Sequence, residues 1–190
     1  MLLHIITGSA AAGLYSAALR LPQALQQLSQ VTGFSLFSPL ARRYGNPAKF
    51  RKFIVVMSAV AGLAGVLFAV PVWLLAPRLI TVVFGKAYAP ALPVLQMLSL
   101  ALPFVAMTPL LSYAMMATAR EVPWLRANLL TLAWNVAAGL ALIATMGLKG
   151  AGLSRILAEA FLAILLLGLA LRPPRGTGGV DVRIEDSDLM

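Results

Sequence analysis

Four stretches of this chain are long, apolar and almost free of charge, and nothing else in the sequence constrains its folding as strongly. Residues 53–76, 94–119 and 127–148 contain no charged side chain, and 150–171 contains only Arg155 and Glu159. A helix that crosses the hydrocarbon layer needs about 20 mostly apolar residues, since each adds about 1.5 Å of rise to a span of about 30 Å. All four stretches reach that length. A fifth segment, 17–41, carries Arg20 and four glutamines but is otherwise small or apolar, and it closes on Arg42 and Arg43. The expected fold is therefore all-α, a polytopic transmembrane helical bundle of about five spanning helices.

Composition supports lipid rather than water as the solvent. Apolar residues make up 61% of the 190 residues and charged residues 11%, whereas a soluble domain uses about 25% charged residues to cover its surface. The formal charge of +9 would suggest nucleic acid in a soluble chain. Here the basic residues fall between apolar runs, as in loops beside a membrane, so no nucleic-acid partner is expected and the bilayer itself is the first partner. Residues 1–12 have an apolar stretch ending in Ala10-Ala11-Ala12 but no basic start, so a cleaved signal is not expected.

Lysine and arginine sort the connections. RRYGNPAKFRK, at 42–52, has five positive charges; 77–93 has Arg78 and Lys86; Arg120 and Arg126 flank the third connection, Lys149 marks the fourth, and Arg172 and Arg175 follow the last run. The heavier connections alternate, so the positive-inside rule puts 42–52, 120–126 and the C-terminus in the cytoplasm, in a multi-pass protein of the inner (cytoplasmic) membrane. Five crossings then leave Met1 outside, which leads to the expectation that a preceding membrane segment is missing. Between the second and third spans, 77–93 is expected to lie at the outer interface as a short amphipathic element. Residues 173–190 have glycines, acids and no packing period, the pattern of a disordered cytoplasmic tail.

Polar groups in hydrocarbon are costly and each needs a partner or a watery cavity. Ser16, Arg20, Gln23, Gln27 and Gln30 recur at intervals of 4, 3, 4 and 3, which puts them on one helix face. Two readings fit this face. It lines a solvated groove for a polar, anionic ligand, whose phosphate an arginine binds in two-pronged fashion, or its amides bind this helix to neighbours. Arg155 and Glu159 stand one turn apart, as an i,i+4 ion pair or with Glu159 as a proton site. Asn128, Thr131 and Asn135 share a face that either extends the groove or packs. Pro71, Pro103 and Pro109 interrupt their helices, as hinges or as prolines ordinary in spanning segments, and Ala61 and Gly65 indicate close helix contact. With no cysteine and one histidine, His4, neither a metal centre nor a cofactor site is expected, and no cluster of acids, histidine or serine resembles a catalytic group.

Several strings resemble one family. GLYSAALRL at 13–21, followed by FSPLARRYG at 37–45, resembles the eighth helix of polysaccharide and O-antigen flippases, members of the superfamily of multidrug and lipid-linked oligosaccharide exporters. VVFGKAYAPALPVLQML at 82–98 is similar to that family's outer loop before its tenth helix. MATAREVPWLRANLLTLAWNV at 116–136 resembles the next cytoplasmic turn and eleventh helix, and GLKGAGLSRILAEA at 147–160 the start of the twelfth, with Arg155 where the family has a small residue. The resemblance implies a two-lobe, twelve-helix exporter, of which this chain corresponds to the C-terminal lobe. It implies a central cationic cavity that passes a polyprenyl-diphosphate-linked oligosaccharide, with Arg20 toward the diphosphate, Gln23, Gln27 and Gln30 along the sugar path, and Asn128 and Asn135 extending it. A missing N-terminal lobe or self-association would complete the cavity, so the chain alone is expected to be inactive. The other readings are a lobe of a multidrug/cation antiporter, and a non-transporting membrane scaffold or gene remnant.

Overall fold

Apolar side chains cover the outside of this molecule, and small ones fill much of its inside. The computed structural model describes residues 47–172 together with 13, 15, 16, 18–20, 23, 24 and 26–31. Every regular element among the described residues is helical: α1 (Pro47–Leu79), α2 (Leu92–Ser99), α3 (Leu102–Ala117), α4 (Glu121–Met146) and α5 (Leu148–Leu171). The described residues between 13 and 31 are helical too. Residues 32–46 and 173–190, which hold the rest of the first expected span, Arg42, Arg43 and the expected tail, lie outside the described residues.

The apolar runs set the helices, and the helices overrun them. Pro47 starts α1 in the first turn, where a missing N–H costs nothing. The helix then passes through Pro71 and Pro77 and loosens into a π turn, Ile80–Phe84. Thr81 Oγ1 donates there to the carbonyls of Pro77 and Arg78, at 2.9 and 3.1 Å. Gly85 stops it with φ 87° and ψ 166°, a conformation that only glycine adopts freely. The connection is a 3-10 helix, Lys86–Ala91.

The run expected as a single span at 94–119 is two helices. α2 ends at Ser99, whose Oγ donates to the Gln96 carbonyl at 2.7 Å, and α3 restarts with Pro103 in its first turn. The axes of Lys86–Ser99 and Leu102–Ala117 differ by 48°. The amides of Leu100 and Ala101 are satisfied across the break by the carbonyls of Met97 and Leu98, at 3.0 and 3.1 Å. At the far end of α3 the chain turns through Ala119 at φ 51°. The Arg120 and Ala119 amides donate back to the carbonyls of Met115 and Met116, at 2.9 and 3.1 Å, a Schellman closure with alanine in the position glycine usually takes.

Among the described residues three helices are long and apolar enough to cross a membrane, Ala48–Val83, Glu121–Met146 and Leu148–Leu171, or four if the bent pair counts as one span. Their outward surface matches that length. Ile164, Leu67 and Leu63 are 67%, 66% and 62% exposed, while Ala69, Ala76, Ala114, Ala158, Ala163 and Ala170 are buried. Large residues outside and small ones between helices is the arrangement of a bundle whose helices associate by close packing in lipid.

α1 packs on α2 and α3, those pack on α5, and α5 packs on α4. Two apolar clusters mark the two ends of this bundle. One joins Phe50 and Ile54 of α1 to Leu110, Leu111, Ala114 and Met115 of α3, Ala127 of α4 and Leu166 and Ala170 of α5. The other joins Ala76 and Ile80 to Ala91, Val94, Leu95 and Leu98 and to Tyr15 and Ala18. Lys49, Arg51, Lys52, Arg120, Arg126 and Arg172 thus share one end, and Arg78, Lys86 and Lys149 the other.

Gly65 is where α1 meets the bend. A Cβ there would stand 2.5 Å from Pro103 Cα and 2.7 Å from the Leu102 carbonyl oxygen, so the two backbones touch directly. Gly65→Val is expected to lower stability in detergent by about 3 kcal/mol or more, at or beyond the upper end of ordinary overpacking, because main chain rather than a flexible side chain must move. Gly168→Ala, where a Cβ meets nothing within 4 Å, is the matched control and is expected to melt like wild type.

Candidate functional site

The residues of the polar row are helical and turned outward. Arg20, Gln23, Gln27 and Gln30 are all exposed, as is Ser16, whereas Ala18 is buried and Tyr15, Gln26 and Ser29 are half-buried. At about 100° per residue, Ala18, Tyr15, Gln26 and Ser29 fall on one side of the helix and the row on the other. Tyr15 and Ala18 pack on the cluster built from α1 and α2, and Tyr15 also touches the pair Ile143 and Ala151. This holds the helical residues against the bundle by their inner side and leaves one guanidinium and three amides facing away from it.

The Asn128 face of α4 is turned differently. Asn128 Nδ2 donates to the Trp124 carbonyl at 2.9 Å and Thr131 Oγ1 to the Ala127 carbonyl at 2.8 Å. Thr131, Gly139 and Ile143 are buried. A Cβ on Gly139 would stand 3.8 Å from both Asn135 Oδ1 and Ser154 Oγ, so this face meets α5 near Asn135 and Ser154. Gly150 tightens the same contact, since a Cβ there would overlap the Leu142 carbonyl. Asn128 and Thr131 therefore spend their donors on their own helix, and the Asn128–Thr131–Asn135 face lies toward α5.

Within α5, Arg155 Nη2 lies 2.5 Å from Glu159 Oε1. Glu159 is 7% exposed, and the Arg155 side chain 34%. Spacing i,i+4 places the two groups one above the other on the helix, and the pairing lets a carboxylate sit in the interior of an apolar bundle. Trp134 of α4 stacks on Phe161 of α5 with ring centroids 5.8 Å apart.

One contact between distant segments has no counterpart in the sequence pattern. Arg120, in the α3–α4 turn, donates through Nη1 to the Leu169 carbonyl at 2.8 Å and through Nη2 to the Arg172 carbonyl at 3.0 Å. A cation thus closes the C-terminal end of α5, where carbonyls lack helical partners and the helix dipole is negative. The signal that could have pointed to it is the position of an arginine in a tight turn beside an end of the bundle. Its partners lie 49 and 52 residues away. Among the described residues no group of three His, Cys, Asp or Glu side chains could hold a metal ion.

Compared with protein-family models, curated proteins and solved structures, the chain matches none.

Removing one partner of the buried pair leaves the other without a counter-charge. Glu159→Leu or Arg155→Met alone is expected to cost about 1–3 kcal/mol, below the usual figure for a fully buried pair because Arg155 is one-third exposed. The double replacement is expected to cost less than Arg155→Met, which strands the carboxylate, as read by thermal unfolding of the four proteins in one detergent.

Proposed function

We propose that this chain is a membrane-embedded lobe of a transporter that passes a polyprenyl-diphosphate-linked oligosaccharide across the cytoplasmic membrane for polysaccharide biosynthesis. The observation that carries the reading is the outward row of Arg20, Gln23, Gln27 and Gln30, beside exposed Leu28 and Val31, on a molecule whose described spanning helices turn mainly apolar side chains outward. A guanidinium and three amides cannot be left against hydrocarbon at low cost, so the side they face is polar and holds water or a ligand. An arginine offers a planar, always-charged fork for a diphosphate, and glutamine amides both donate to and accept from sugar hydroxyls. The strings that resemble polysaccharide flippases give this chemistry its substrate class.

The sidedness follows the same reading. The end that gathers Lys49, Arg51, Lys52, Arg120, Arg126 and Arg172 is the cytoplasmic one, and the end with Arg78, Lys86 and Lys149 faces outward. About five spans then form one wall of a central cavity. Alternating access moves one bundle against another around a fixed site, so a second lobe or a second copy of this chain supplies the opposite wall. A lobe of a cation antiporter fits less well, because Glu159, the only buried acid among the described residues, is already paired with Arg155.

In the cell that makes this chain, Arg20→Ala is expected to reduce export of surface glycan at least about tenfold, the value of one charge-assisted contact to phosphate. Arg20→Lys should retain part of it, and the amount of protein in the membrane fraction should not change. Wild-type export by the alanine variant would remove Arg20 from the substrate path.

A further inference from the structure

A notch of about 330 Å³ opens at the end of the bundle opposite Lys49 and Arg172, and its lining combines a cation with an apolar floor. The floor is Pro93 and Met97 on one face of α2 with Leu100 just past its end, and Gln96 stands on the same face. Val94, Leu95 and Leu98 take the opposite face into the core, which leaves the floor residues turned out. Trp73 of α1 forms one wall and Lys149, at the start of α5, the other. The close crossing of α5 on α2 at Gly152, where a Cβ would stand 3.3 Å from Met97 Cβ, holds Lys149 beside this face.

The depth of the notch is fixed by helix length. Trp73 follows Lys52 on continuous helix by about 32 Å of rise, close to the thickness of the hydrocarbon layer. Trp73 therefore lies at one interface when Lys52 lies at the other, the level at which an indole ring anchors. Lys149 has no ion pair among the described residues. The only acids there are Glu121, at the opposite end, and Glu159, which Arg155 holds. The Gln96 amide has no hydrogen bond among the described residues either. An unpaired ammonium and a free side-chain amide thus lie beside Trp73 and an apolar floor at headgroup depth.

We propose that this notch binds one anionic glycerophospholipid, its phosphate held by Lys149 and Gln96 and an acyl chain lying over Met97 and Leu100. Charge complementarity selects an anionic headgroup, and the exposed Leu100 and Trp73 select a ligand with a chain. A free phosphate has the first feature and lacks the second. The site requires only that the helices lie in a bilayer, so its failure would leave the transporter reading untouched, and failure of the transporter reading would leave this site standing.

The test uses the full chain with Trp124→Phe and Trp134→Phe, so that Trp73 alone fluoresces, reconstituted in bilayers of phosphatidylcholine with brominated phosphatidylglycerol or brominated phosphatidylcholine as quencher. Trp73 is expected to prefer the anionic quencher roughly fivefold, the worth of one basic residue near an anionic surface. Lys149→Gln and Gln96→Leu should each reduce that preference, and millimolar inorganic phosphate should leave it unchanged. Equal quenching by the two lipids, or a preference that survives Lys149→Gln, overturns the site. Displacement by phosphate overturns the lipid as its ligand.

Discussion

Hydrocarbon offers no hydrogen bonds to the main chain, and the rest of this structure follows from that. A span must satisfy its own amides and carbonyls, so the described chain is helix from end to end with short turns between. Where a helix ends, a local group takes over: Ser99 at the end of α2, the amides of Ala119 and Arg120 beyond α3, and the Arg120 guanidinium at the end of α5. With lipid outside, burying large side chains gains little. Helices instead approach through small residues, and Gly65 and Gly150 mark the places where one backbone meets another most closely.

The same rule decides where polar side chains can go. Glu159 is tolerated inside because Arg155 stands one turn away. The α4 amide and hydroxyl at Asn128 and Thr131 turn back to carbonyls of their own helix. The row from Arg20 to Gln30 has neither solution, being exposed on the side of its helix away from Ala18. That difference separates polar groups that serve packing from polar groups that demand a watery neighbour, and it is the physical basis for reading a transport path on this face. The notch at Trp73 and Lys149 is a separate polar feature, set at headgroup depth rather than within the span.

Much of the fold was legible because charge-free apolar runs of spanning length have few other uses. Residues 127–148 and 150–171 correspond closely to α4 and α5, and 53–76 to the middle of α1. Helix ends were less legible, since a helix continues into the interface for as long as its backbone is paired, as α1 does from Pro47 to Leu79. The place of the break in 94–119 was not legible. Pro103 and Pro109 offered two places for it, and the choice follows the crossing of α1 at Gly65, a contact between segments distant in sequence. The polar row was legible from its 3 and 4 spacing. Which way it faces was not, because burial of Ala18 depends on α2, and the Arg120 contact was hidden by its separation from Leu169.

The central claim is that the two ends of α1 emerge on opposite faces of a membrane. Because the chain has no cysteine, single replacements Lys49→Cys and Lys86→Cys can be probed in intact cells with a maleimide that does not cross the membrane. The account predicts labelling of position 86 before lysis and of position 49 only after it. Labelling of both before lysis, or recovery of the protein in the supernatant after detergent-free lysis and ultracentrifugation, would contradict it.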